Sequence, residues 1–211
     1  MVGDADDPGA RSKARRTRRP ESRRQELLDA ALRLYLERGV GTSTVAEVTE
    51  AAGAAKGTFY RYFPSKEHLL LALRDRFTDE LLATLEEDVA AAAGSRWDQL
   101  EAVVRTLVEF GRENAHVHDV VYYAGHDGGL LNGDDPFETR IVRWVAGFLR
   151  DGAADGCFDC DDPDLVALLS FSALHGCTEQ ALEGGHLEHE RLVAGLTSML
   201  SRAFGRDRHP V

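Results

Sequence analysis

Cysteine is nearly missing from this sequence, and long apolar runs and alternating strand patterns are missing altogether. Only Cys157, Cys160 and Cys177 occur in 211 residues. A number that small and odd excludes a disulfide framework. No window approaches the roughly 18 consecutive apolar residues of a membrane-spanning helix. The first residues are polar and lack the apolar stretch of a secretory leader. The expectation is a cytoplasmic protein with no membrane partner. No segment alternates apolar and polar residues between turns, and none repeats, so sheet and solenoid architectures are set aside.

Catalytic signatures are equally scarce. Gly39-x-Gly41 follows a helical pattern, not a strand, so it is no dinucleotide fingerprint. Gly53 to Thr58 lacks the spacing of a phosphate loop. No nucleophile, base and orienting acid stand out. Cys157-x-x-Cys160 has the spacing of a zinc half-site or redox pair, but no second Cys pair follows, and His186-x-x-His189 complements it poorly. No cofactor and no metal site are expected.

What is present is an uneven charge. The net charge is −11, yet up to Pro64 the chain carries twelve Lys+Arg against nine Asp+Glu, and beyond it thirteen against twenty-seven. Arg11, Lys13, Arg15, Arg16, Arg18, Arg19, Arg23 and Arg24 cluster near the start. Such a run attracts a polyanion, and the acidic remainder repels one. One end of the molecule should dock on nucleic acid and the other should not.

Periodicity places an all-α fold of about nine helices on this polarity. Residues 1–20, with few large apolar side chains, read as a disordered basic arm. Leu27, Ala31, Leu34 and Tyr35 share one helical face, which Gly39 ends. Thr42, Ser43 and Thr44 offer caps for a short second helix, and a third spans Lys56 to Tyr62. Pro64-Ser65-Lys66-Glu67 opens a long fourth helix. Further helices are expected over Trp97–Glu113, Val117–Ala124, Phe137–Ala154, Asp164–Glu183 and Glu190–Phe204. Loops are expected at His126–Asp135 and Gly156–Pro163. The domains follow: a helix-turn-helix unit over 21–66, a larger helical unit over 67–205, and a tail over 206–211.

Residues 42–70 are the most informative. Two short helices joined at a Gly turn have the length and spacing of a DNA-reading helix-turn-helix. Phe59 and Phe63, four apart, anchor the second helix on a core, which leaves Tyr60 and Tyr62 to face outward. This segment resembles the tetracycline-repressor (TetR) family. The residues that carry the resemblance are Thr44-x-x-Glu47-Val48, then Ala52-Gly53-x-x-Lys56-Gly57-Thr58-Phe59-Tyr60-x-Tyr62-Phe63, then Lys66-Glu67-x-Leu69-Leu70. The resemblance implies double-stranded DNA as partner and a homodimer on paired half-sites. It implies Thr44 on phosphate, Lys56 and Gly57 near base edges, and Tyr60, Tyr62 and Lys66 on phosphates. Ala54, Ala55 and Thr58 complete the expected DNA-binding set. Ala55 stands where the family usually has Ser or Thr, and Ala54 where it usually has Val.

About 130 residues of further helix exceed what DNA binding needs. Phe110, Tyr122, Tyr123, Trp144, Phe148, Phe171 and His175 are the expected lining of a pocket for a small apolar or aromatic effector. The last two helices, through Leu165, Leu169, Leu192, Leu196, Met199 and Leu200, are the expected dimer interface. The functional expectation is a repressor released from a near-palindromic operator by that effector. The alternatives are a ligand-independent repressor or an activator, and, more remotely, a di-metal helical-bundle enzyme built on Glu113–His116 and Glu183–His186.

Overall fold

The computed structural model describes the backbone of residues 20–122, 136–184 and 189–204, with side chains described except at 20, 122, 136–139, 175 and 177–184. Among these residues there are nine helices and no strand. They are α1 (Pro20–Arg38), α2 (Val45–Ala51), α3 (Lys56–Tyr62), α4 (Lys66–Ala91), α5 (Arg96–Glu113), α6 (Ala115–Tyr122), α7 (Pro136–Ala154), α8 (Pro163–Gly184) and α9 (His189–Phe204). The basic arm, the His126–Asp135 loop and the tail lie outside the described residues.

Local chemistry explains several boundaries. Ser65 caps α4 by accepting from the His68 N–H. Ser95 and Asp98 form a reciprocal capping box at the start of α5, where the Ser95 N–H donates to Asp98 Oδ2 at 2.6 Å. Gly53, at φ +57°, ends α2. Its own N–H donates to the Glu50 carbonyl at 3.0 Å, and the Ala54 N–H donates to the Thr49 carbonyl at 2.8 Å. That pair of bonds closes the left-handed glycine turn that reverses the chain between α2 and α3.

Two hydrophobic cores result. The first joins Leu27, Leu28, Ala31 and Tyr35 of α1 with Val48, Phe59, Phe63 and the first half of α4, Leu69 to Phe77. The second joins Leu81 and Leu85 of the same α4 with faces of α5, α7, α8 and α9. One helix of 26 residues, about 39 Å long, is therefore part of both cores. The boundary expected at residue 66 has no counterpart in packing, because the first core runs through Phe77 and takes in Val121 of α6. Arg74, only 1% exposed, reinforces that junction, its Nε donating to the Val121 carbonyl. Phe110 of α5 packs against both cores, edge-on to Phe77 at 5.1 Å.

Candidate nucleic-acid interface and sensor cavity

The short helix α3 is held from beneath. Phe59 is fully buried and Phe63 nearly so, with ring centroids 5.7 Å apart. Anchoring those two rings turns the intervening positions to the surface. Ala55, Lys56 and Gly57 are exposed at the start of the helix, and Thr58 and Ala54 are half-buried. Tyr60 is 49% exposed. Tyr62 is half-buried against the core, with the Arg61 guanidinium 5.1 Å above its ring. Arg61, which the sequence reading passed over, thus stands between two tyrosines on the outer side. Its signal was available: it is the one cation inside the Tyr60–Tyr62 triplet. Arg24 of α1 lies over the Phe63 ring at 5.5 Å and brings a second guanidinium to the same end.

Two expected phosphate contacts have other duties. Thr44 caps α2, and both its N–H and its hydroxyl donate to Glu47 Oε2 at 2.8 Å. Those bonds, the backbone one first, hold the Glu47 carboxyl below its usual pKa. The cap therefore contributes above the ordinary glutamate range and is lost as pH falls through the lowered pKa. Lys66 donates to the carbonyls of Val40 and Ser43, at 2.8 and 3.1 Å. It fastens the α1–α2 connection to the start of α4 and keeps one N–H for another partner.

Ala55 occupies the N-cap of α3 in extended geometry, φ −78° and ψ 149°, with no side-chain cap. The Ala55→Ser variant should therefore raise stability by about 0.5–1 kcal/mol, because a hydroxyl there accepts from the Gly57 or Thr58 N–H. Urea unfolding should show a higher midpoint at an unchanged slope. A midpoint that stays put or falls would mean that the cap does not form.

In the second core, α5, α7, α8 and α9 enclose a cavity of about 30 Å³. Its lining is Leu100, Val103, Val104 and Leu107 of α5, Val145 and Leu149 of α7, Ser170, Phe171 and Leu174 of α8, and Leu196 and Leu200 of α9. Of the expected pocket residues, Phe171 lines it. Trp144 and Phe148 stack on one another at 6.2 Å, and Phe148 also meets Phe158 at 6.0 Å, so they fill core beside the cavity. Phe110 sits at the junction of the two cores. Tyr123 and the side chains of Tyr122 and His175 lie outside the described residues. Apart from Phe171 and Ser170 the lining is aliphatic, and the leucines and valines of α5, not expected as pocket residues, supply one wall.

The expected interface residues divide. Leu165, Leu169 and Met199 are 50%, 60% and 48% exposed, as is Leu168 at 47%. Leu192, Leu196 and Leu200 are buried within their own subunit, and the last two face the cavity. Positions 192, 196 and 200 face their own subunit's core, and Met199, on the flank of that face, is left exposed, so a surface built on α8 and α9 uses only the exposed set. Exposed small residues adjoin that set, Ser172, Ala173 and Gly176 on α8 and Ala194, Gly195 and Ser198 on α9.

The described residues contain no group of three or more His, Cys, Asp or Glu side chains placed to hold a metal ion. Glu113 ends α5 and His116 lies in α6, so the first Glu-x-x-His pair straddles a helix break. His186 of the second pair lies outside the described residues. Burial, with nearby Asp159, Asp161 and Asp162, pushes the Cys160 thiol up. No helix among the described residues is long and apolar enough to cross a membrane.

Known proteins share this architecture. Residues 27–73 match the family model of bacterial regulatory proteins of the tetR family, and residues 98–202 match a tetracyclin repressor-like C-terminal domain. The transcriptional repressor KstR2 of Rhodococcus jostii is 38% identical over 144 residues, covering 66% of this chain and 69% of its own. The chain belongs to the TetR family of bacterial regulatory proteins. Solved structures agree on the fold. A Rhodococcus sp. RHA1 protein superposes with a TM-score of 0.74 at 20% identity, over 87% of this regulator and 96% of that chain. SmeT in complex with triclosan superposes at 0.66 and 16% identity, over 89% of this chain and 93% of its own. The regulator is thus a DNA-binding helix-turn-helix protein with a tetracyclin repressor-like C-terminal region.

Proposed function

We propose that this regulator is a homodimeric repressor that grips a near-palindromic operator through paired α3 helices and releases it when a small molecule enters the second core. The carrying observation is the surface of α3, where Lys56, Tyr60 and Arg61 stand exposed over two buried phenylalanines. Within this reading, Lys56 and Gly57 approach base edges, and Tyr60, Tyr62 and Thr58 meet phosphates, with Arg61 and Arg24 added. Lys66 and Thr44 act chiefly by fixing the loop and cap that present α3. One recognition helix buries too little surface for tight specific binding, so two half-sites about 34 Å apart, or a multiple of that, are needed. The exposed faces of α8 and α9 supply the dimer contact. The helix α4, common to both cores, is the mechanical route from effector to α3. Nothing in this scheme requires turnover of the effector, and the protein acts in the cytoplasm without a cofactor.

The test is selection of bound duplexes from a random pool, with the mass of the complex measured by light scattering. An inverted repeat carrying one dimer is the expected result. Enrichment of single, asymmetric sites by a monomer would overturn the dimer reading. A screen for compounds that release the recovered operator separates an effector-controlled repressor from a ligand-independent one, and a reporter assay separates repressor from activator.

The basic arm has a distinct expected signature. Residues 20–64 hold as many acidic as basic side chains, six of each, so Arg11, Lys13, Arg15, Arg16, Arg18 and Arg19 supply the positive excess of this end. Each cation on a phosphate adds about 0.9 to the slope of log affinity against log salt. Deleting residues 1–19 should make that slope shallower by roughly 2 to 5 per protomer and weaken binding at low salt, with operator sequence preference retained. An unchanged slope would make the arm a spectator.

A further inference from the structure

We propose that the cavity between α5, α7, α8 and α9 takes an uncharged aliphatic chain carrying a single hydroxyl or carbonyl group, which Ser170 receives. The inference rests on the proposed effector control and narrows the chemistry of the effector.

Shape comes first. Leu100, Val103, Val104 and Leu107 repeat at i, i+3, i+4 and i+7 along α5. They line the site over two helical turns, roughly 10 Å. The opposite walls are also helix faces, Val145 with Leu149 and Leu196 with Leu200, each pair four residues apart. Helices that wall a site lengthwise leave a slot. Its volume of about 30 Å³ compares with the ~150 Å³ of an apolar cavity that accepts benzene. A ring needs the walls to part by its full width. A chain needs only successive leucine and valine side chains to turn aside, one methylene at a time.

Polarity comes next. Ser170 is the one lining residue with a polar side chain. An ordered water needs two to four polar partners, so the slot is dry. No lining residue is ionisable. Arg105, next to Val104 on α5, is engaged with Glu101, Glu109 and Glu190. A carboxylate or ammonium inside the slot would lose its hydration without gaining a counter-charge. A hydroxyl or carbonyl loses less, and the Ser170 hydroxyl replaces one of its hydrogen bonds.

Placement links the slot to the rest of the molecule. Ser170, Phe171 and Leu174 form its α8 wall, while Leu165, Leu168 and Leu169 lie on the outer face of the same helix. A chain that widens the slot therefore displaces the helix that bears the proposed dimer surface.

Calorimetric titration of the full-length protein tests the assignment, with 1-octanol, octanoate, octylammonium and 1-naphthol at neutral pH. Octanol should bind, with each of the other three at least tenfold weaker. Leu107→Trp, which fills the slot from a half-buried position, should remove octanol binding. Ser170→Ala, a change that preserves the helix, should weaken it about threefold or more and provides the reading if Leu107→Trp does not fold. Equal affinity for octanol and octanoate, tighter binding of 1-naphthol, or undiminished binding in both variants overturns the proposal. Operator release is scored separately. Octanol that binds without releasing operator keeps the site and defeats the effector reading, and release by another compound with no octanol binding does the reverse.

Discussion

Lys56→Ala combined with Tyr60→Ala should abolish operator binding at concentrations that saturate the wild type, while the melting temperature shifts by no more than about two degrees. Lys56 is exposed and joins no ion pair among the described residues, and Tyr60 is about half exposed. Removing either side chain therefore leaves the Phe59 and Phe63 anchors in place. A base or phosphate contact contributes about 1 kcal/mol or more, and a dimer makes each contact twice. Four lost contacts amount to about a thousandfold in affinity. Fluorescence anisotropy with the selected operator measures the loss, and circular dichroism checks the fold. Wild-type affinity in a folded double variant would remove α3 from the interface.

Leu169→Glu should convert the dimer into monomers of 23.2 kDa and reduce operator binding to weak, half-site occupancy. Leu169 is 60% exposed in the single chain and stands beside Leu165 and Leu168. Burying a carboxylate against its own symmetry copy leaves two like charges desolvated and unpaired. The cost falls on association, because the same glutamate is solvated in the monomer. Leu36→Glu on α1 is the control, since Leu36 is also exposed, at 44%, but lies on the other core's helices. Light scattering should report monomers for the first variant and dimers for the second. A stable Leu169→Glu dimer would place the interface elsewhere. Leu196 is the wrong probe for this question: it is 8% exposed inside its own subunit, and a charge there would attack the fold before the interface.

The reading head was legible because its signals are local. Thr44 three residues before Glu47, Gly53 at a left-handed turn, and Phe59 four residues before Phe63 each act within a turn or two of chain. The periodic faces of α5 and α7 likewise placed those helices to within a residue or so of their observed starts. Site roles were less legible. Lys66 as a fastener depends on carbonyls 23 and 26 residues away, and nothing in the Lys66-Glu67 dipeptide announces them. Arg74 gives the same lesson, since nothing near it in the sequence of α4 announces the Val121 carbonyl, 47 residues on, to which it donates.

The sequence by itself determined the helical class, the order and approximate limits of the helices, the reading-head motif, and which end of the chain is basic. These depend on periodicity, caps, turn residues and net charge, which are properties of neighbours in the chain. Tertiary structure alone decided which apolar faces are spent inside the subunit. The leucines at 192, 196 and 200 and the methionine at 199 are chemically alike and share one helix, yet only Met199 is left uncovered. It decided as well that the cavity is largely aliphatic, with Trp144 and Phe148 consumed by packing on each other and Phe148 also on Phe158. The physical reason is that burial is non-directional and is assigned by whichever helix arrives opposite a face. In the second core α5 meets its chain neighbour α4 on one side and α9, far along the chain, on another.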